Sequence, residues 1–159
     1  MEVKELSANS QYTEDINRIY TESFIDDERI EFDYLKNLSF PNSKMFGIFD
    51  ENKLVGFAFL SEFESYVYIT YLAVDKDCRN KRLGSKTLNY LTDHFADKTL
   101  IFSVDKPQST DDINYRRIGF YKRNGFELAD FEFECYGLMY LPMFKGEFNQ
   151  DEFIKVVKI

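Results

Sequence analysis

The densest chemistry in this chain lies between Tyr71 and Lys86. An uncharged run, Tyr71-Leu72-Ala73-Val74, leads into Asp75-Lys76-Asp77-Cys78-Arg79-Asn80-Lys81-Arg82 and then into Leu83-Gly84-Ser85. Five cations, Lys76, Arg79, Lys81, Arg82 and Lys86, fall within eleven residues of an acidic sequence. A strand feeding a basic turn and a helix start makes an anion site, because the first N–H groups of a helix lack internal acceptors. Gly84 leaves room for a phosphate to approach the backbone. A basic surface loop is the competing reading. A second group lies on one predicted helix: Asn114 and Tyr121 are seven residues apart, two helical turns, so an amide and a phenol share a face. The alternative is that Tyr121 packs beside Phe120 and Asn114 only caps the helix. Among carboxylates, Glu62 and Glu64 precede the central strand and Asp105 ends the next one. Each is either a proton acceptor or an ordinary solvated strand-end residue.

Composition narrows the rest. The chain has 159 residues, 44% hydrophobic and 30% charged, enough apolar material for one domain with a core. We expect a single domain over 1–159 without repeats or linkers. Aromatics reach 18%, from 17 Phe and 11 Tyr. The net charge of −8 disfavours a nucleic-acid backbone as partner. The longest apolar run, Leu54 to Leu60, is far short of a membrane span. The first residues show no basic-then-apolar signal pattern. Two cysteines, Cys78 and Cys135, make no disulfide framework, so a cytoplasmic location is the default. With His94 as the one histidine and no cysteine cluster, no zinc-type site is expected.

The elements that must position these residues read as a mixed α/β layer fold. Helices are predicted at Glu14 to Phe24, capped by Thr13, and at about Ile30 to Asn37. A hairpin joins Met45–Phe49 to Leu54–Leu60. Tyr66 to Val74 is a central strand buried on both faces. Leu83 to Phe95 is a helix with Leu88, Leu91 and Phe95 on one stripe. Thr99 to Val104 is a strand, and about Ile113 to Arg123 is a helix ended by Asn124-Gly125. Phe126 to Phe133 and Cys135 to Met143 are the last strands. A short terminal helix at 149–159 starts from Asn149 and Glu152, spaced as a capping box, with Phe153, Val156 and Val157 on its apolar face.

Together the two chemical stretches resemble the GNAT superfamily of acyl-CoA-dependent N-acyltransferases. The family loop is Arg or Gln, two residues, Gly, one residue, then Gly or Ala; here it is Arg79-Asn80-Lys81-Arg82-Leu83-Gly84. The later signature is Asn, then Tyr seven residues on, then Gly-Phe, matched by Asn114, Tyr121, Gly125 and Phe126. The one departure is Arg82 in place of the first loop Gly. It still offers a backbone N–H, so weakened rather than lost pyrophosphate binding is expected, offset by the added cation. The segment Val104 to Asp112 and the run Arg117-Ile118-Gly119-Phe120-Tyr121 also look like a subgroup with an acidic-x-Pro turn.

The resemblance implies a central mixed, mostly antiparallel twisted sheet flanked by helices, with splayed central strands. It implies acetyl-CoA as cosubstrate and no metal. The N–H groups of Arg79, Asn80, Lys81, Arg82, Leu83 and Gly84 would hold the pyrophosphate, with Ser85 at the helix start. Leu72, Ala73 and Val74 would carry the pantetheine arm, Leu72 and Val74 through their backbone, with Asn114 on its other side. Tyr121 would protonate the leaving thiolate. An amine near pKa about 10.4 must lose a proton before attack, and Glu64 or Asp105, acting through water, would take it.

In such folds the acceptor site is built from the first helices and the last strand loops. Here Asp26, Asp27, Glu28, Glu31 and Asp33, opposed by Arg29, would attract a cationic amine, and Tyr136, Tyr140 and Phe144 would line a floor. A solvated helix face and simple packing are the alternatives. The leading expectation is an N-acetyltransferase of a small cationic amine, acting as monomer or homodimer without nucleic acid or membrane. The alternatives are a CoA-binding or protein-interaction module without turnover, and a protein Lys or N-terminal acetyltransferase.

Overall fold

The computed structural model describes residues 1–135 and 137–157; the side chains of Asn80, Val156 and Val157 also lie outside the description. In chain order the elements are β1 (Glu2–Leu6), α1 (Thr13–Ser23), α2 (Phe32–Lys36), β2 (Ser43–Asp50), β3 (Lys53–Glu62), β4 (Tyr66–Val74) and α3 (Leu83–His94). There follow β5 (Thr99–Asp105), α4 (Ile113–Arg123), β6 (Glu127–Leu128), β7 (Phe133–Cys135), β8 (Leu138–Lys145) and α5 (Gln150–Val157). Short 3-10 turns occupy Asp26–Glu28 and Lys76–Lys81. One sheet runs β1-β2-β3-β4-β5-β8-β6, with β7 also paired to β8. Every pairing is antiparallel except β4 with β5. The expected mixed, mostly antiparallel sheet flanked by helices is what forms.

The hairpin turns at Glu51-Asn52, with φ of 51° and 65°, the left-handed pair that matches the twist of its strands. On α1 the apolar residues Ile16, Ile19 and Tyr20 are buried at helical spacing. Thr13 is not the N-cap but the first helical residue; Tyr12 precedes it, and the Thr13 hydroxyl donates to the Ser10 carbonyl at 2.7 Å. The second helix is shorter than expected. Asn124 and Gly125 end α4 as anticipated, with Gly125 at φ 90°. The strand expected over Phe126–Phe133 breaks into β6 and β7. Both answer to β8: Glu127 and Leu128 oppose Phe144 and Met143, whereas Phe133 opposes Tyr140. On α5 the Asn149 carboxamide accepts from the Glu152 N–H at 3.1 Å, as a cap should, and Phe153 is fully buried.

Two irregularities of the sheet decide where its side chains point and where its backbone is left free. First, the β3–β4 register slips between Phe59 and Leu60, so Thr70 has no partner. The bulge shifts the side-chain alternation of β4. Val67, Ile69 and Leu72 pack under α3 and α4, whereas Tyr71 and Ala73 pack under α1 and α2. Second, β4 and β5 pair over only Tyr66–Tyr68 and Thr99–Ile101. Beyond that point they diverge, and among the described residues no strand lies beside the β4 edge from Ile69 to Val74. Gly56 faces this segment from β3, where an added Cβ would sit 2.5 Å from the Ala73 carbonyl oxygen.

Candidate active site

The divergence of β4 from β5 opens a cleft of about 1850 Å³. Residues from both strands, from α4, from the start of α3 and from the chain after α1 line it. Its backbone wall follows from strand alternation. The Asp75 N–H donates to the Val55 carbonyl at 2.7 Å, so Asp75 faces β3. Val74 and Leu72 therefore present their N–H and C=O groups to the cleft, and Ala73 turns its own toward β3. The Val74 carbonyl is held by Arg79 Nε at 3.1 Å.

At one end lies the basic turn. Asp75 anchors it: this buried carboxylate accepts from the Asp77 N–H at 3.1 Å and from Arg18 of α1 at 2.8 Å. The Arg18 hydrogen bond holds its pKa below the usual carboxylate range, against the opposing effect of burial. Arg82 stands at φ 58°, ψ 27°, the left-handed region. Glycine adopts this conformation freely, whereas another residue incurs roughly 1 kcal/mol or more. The departure from the family loop thus keeps the backbone shape that a glycine would give, at some strain.

The first intrahelical bond of α3 runs from the Lys86 N–H to the Arg82 carbonyl at 3.1 Å. The N–H groups of Leu83, Gly84 and Ser85 consequently have no acceptor within the helix. Arg79, Asn80 and Lys81 instead lie inside the 3-10 turn. Lys81 pairs with Asp50 at 3.2 Å and does not line the cleft, whereas Arg79, Arg82, Gly84 and Ser85 do. The Leu83 side chain is buried with Ile48 and Val55. Gly84 has a packing role that its sequence context did not suggest. A Cβ there would meet Phe120 Cζ at 3.1 Å, so Gly84 also lets α3 approach α4.

From α4, Asn114 is buried, with its Oδ1 accepting from Arg117 Nη1 at 3.2 Å. Tyr121 stacks on Phe102 at 4.1 Å between ring centroids. Its phenol faces the cleft without a hydrogen-bond partner among the described residues. Burial pushes its pKa up to about 12; the Arg117 charge opposes the rise and that of Glu28 adds to it.

The opposite sheet face supplies a second set. Phe102 faces the α3–α4 core, so Asp105, three residues on, faces the other way. Its Oδ1 is buried with no hydrogen-bond partner among the described residues. Burial raises its pKa, Glu28 and Asp112 add to the effect, and Arg117 opposes it. Glu28 is held in two ways. Its carbonyl accepts from the Tyr71 hydroxyl at 2.6 Å, and its carboxylate pairs with Arg117 at 3.2 Å. Tyr20 secures the same loop by accepting from the Ile30 N–H and donating to its carbonyl, both at 2.8 Å.

Not every anticipated residue reaches the cleft. Glu64 is exposed in the β3–β4 turn, before the paired end of β4, and is not a lining residue. Glu62 is held by Lys44 and Lys98, both at 2.7 Å, which keep it ionised and occupied. Phe144 stacks on Phe148 at 4.6 Å instead of lining a floor, while Tyr140 does line the cleft. Tyr136 lies outside the described residues. Arg117 was missed as a site residue, although its position four residues before Tyr121 puts both on one helix face.

The family model described as the acetyltransferase (GNAT) family matches residues 10–126. The chain belongs to the GNAT family of acetyltransferases. A GNAT-family acetyltransferase structure from Bacteroides thetaiotaomicron superposes with a TM-score of 0.82 at 23% identity, covering 99% of this chain and 93% of that one. The crystal structure of an aminoglycoside 6'-N-acetyltransferase complexed with coenzyme A gives 0.67 at 17% identity, covering 91% and 96%. At such identities the likeness carries the fold. In sequence, YjbC of Bacillus subtilis strain 168, assigned by name to the acetyltransferases, is 32% identical over 69 residues. That stretch is 43% of this chain and 35% of YjbC. Among the described residues, no helix is long and apolar enough to cross a membrane.

Proposed function

We propose that this GNAT acetyltransferase transfers an acetyl group from acetyl-CoA to a primary amine by direct attack, with residues 1–159 acting as one catalytic domain. The observation that carries the reading is the placement of two groups. The Tyr121 phenol and the unpartnered Asp105 carboxylate open into one cleft from opposite faces of β5. The cleft suits the cosubstrate: an unpaired strand edge, and N–H groups at a helix start without intrahelical acceptors.

When bound, acetyl-CoA supplies the acetyl group as an activated thioester. The N–H groups of Leu83, Gly84 and Ser85, with the Arg82 and Arg79 cations, would hold its pyrophosphate. The Leu72 and Val74 backbone would carry the pantetheine arm, with Asn114 across from it. Arg79 must release the Val74 carbonyl when the arm engages that group. Asp105 accepts the proton that the amine loses, directly or through water, and its raised pKa suits a proton acceptor. Tyr121 holds a proton at its Oη toward the sulfur side.

Calorimetric titration of CoA tests the binding half of this proposal. Wild type is expected to bind. Arg82→Glu reverses a cation at the loop without touching the helix packing, and is expected to raise Kd about tenfold or more. Gly84 is the poorer site for this test, since its neighbour Phe120 leaves no slack. Absence of binding by wild type would overturn the proposal. An unchanged Kd in a folded Arg82→Glu protein would remove the pyrophosphate from this loop.

A further inference from the structure

We propose that the acceptor is a monoamine carried on a flat apolar or aromatic body, seated between Tyr71 and the β7–β8 hairpin with its ammonium on Asp105. This rests on the acetyl-transfer reading and adds the substrate class.

The wall of this part of the cleft is aromatic. Phe24 meets Tyr71 edge-on at 4.9 Å, and Phe133 stacks on Tyr140 at 5.6 Å. Tyr68 joins these four among the lining residues of the cleft. Phe133 and Tyr140 are brought together by the β7–β8 register, and Tyr140 in turn opposes Asp105 across β8 and β5. The carboxylate therefore stands at the foot of an aromatic slot. Aromatic faces and edges accept flat apolar groups and also favour an adjacent ammonium.

Most polar groups of the wall are already engaged inside the protein. The Tyr71 hydroxyl donates to the Glu28 carbonyl at 2.6 Å, and the Tyr68 hydroxyl to Ser103 Oγ at 2.5 Å. The Glu28 carboxylate is taken by Arg117 at 3.2 Å and 3.3 Å. Asp105 Oδ1 is the buried cleft carboxylate oxygen without a partner among the described residues. Of the tyrosine hydroxyls named in this wall, that of Tyr140 is left without a partner among the described residues, so a polyhydroxylated amine would bring more hydroxyls than the slot can satisfy, and buried polar groups without partners are strongly disfavoured. The other acidic lining residues besides the engaged Glu28, Glu22 and Asp27, are exposed, so a polyamine would bring further cations toward Arg117 with one buried free carboxylate to meet them. An apolar monoamine matches the inventory: one ammonium, one carboxylate, and a body that needs only contact.

The experiment follows release of free thiol from acetyl-CoA with 2-phenylethylamine, spermidine, glucosamine and a peptide with a free N-terminus. A kcat/KM for 2-phenylethylamine about 100-fold above that for glucosamine, and above the other two, is expected. Phe133→Ala should then raise KM for 2-phenylethylamine about tenfold, while the Kd for CoA by calorimetry stays at the wild-type value. A binding readout keeps the test independent of turnover: N,N-dimethyl-2-phenylethylamine, which cannot form a stable amide, should bind the CoA complex of wild type and lose that affinity in Phe133→Ala. Faster reaction with spermidine, glucosamine or the peptide would overturn this proposal and leave acetyl transfer standing. Thiol release with none of the four, together with no binding of the dimethyl compound, would overturn both.

Discussion

Tyr121→Phe is expected to lower kcat by about 10²-fold, the low end of the range for general acids. The reason lies in the match of acidities. A thiol near pKa about 8.5 is already a fair leaving group as thiolate. A phenol pushed up to about 12 gives it a hydrogen bond more readily than a whole proton. The substitution removes only the hydroxyl. The ring keeps its stack on Phe102, so CoA affinity and fold should be unchanged. Rapid-quench measurement of acetyl transfer, beside calorimetry of CoA, separates the two effects. A loss of less than about threefold would exclude Tyr121 from the chemical step.

Asp105→Asn is expected to lower kcat/KM at neutral pH by about 10²- to 10³-fold and to remove the acid limb of the pH profile. Asn keeps the shape but cannot accept the amine proton. In wild type, activity is expected to rise with pH through the Asp105 pKa, which burial lifts above the ordinary carboxylate range. Stability should move in the opposite direction. A carboxyl whose folded pKa is raised favours the fold below its unfolded pKa and loses that contribution as pH rises through the folded value. Above its folded pKa the ionised, unpartnered Asp105 therefore weakens the fold, and Asn at this position should raise Tm there. A slow variant that is also less stable, or an acid limb that persists in Asp105→Asn, would assign the proton transfer to another group.

The parts of the site legible in the sequence are those carried by short runs. Gly84, Asn114 and Tyr121 stand at fixed spacing inside single helices, so local pattern was enough. The helices α3 and α4 were legible for the same reason, through an apolar stripe and an Asn-Gly stop. Strand β1 was not, because Glu2, Lys4 and Glu5 make it look like solvated chain and only pairing with β2 reveals it. Nor was the Thr70 bulge, which exists as a mismatch of register between β3 and β4. The choice between Glu64 and Asp105 stayed open because both sit at strand ends. Parallel pairing decides which of the two stands at the cleft. The C-terminal ends of β4 and β5 lie on the same side, so Asp105 and the basic turn share the cleft while Glu64 stands at the other end. The Glu28–Arg117 pair joins residues 89 positions apart, beyond the reach of any local pattern.

Catalysis by this cleft is tested most directly by amine-dependent release of thiol from acetyl-CoA by the wild-type protein, with the acetylated amine measured in parallel. The expected result is free thiol and acetylated amine in equal amounts, at a rate that rises with amine and saturates. Tight binding of acetyl-CoA with thiol release that no amine accelerates would contradict acetyl transfer, and would make this GNAT domain a binder of the thioester in place of a catalyst.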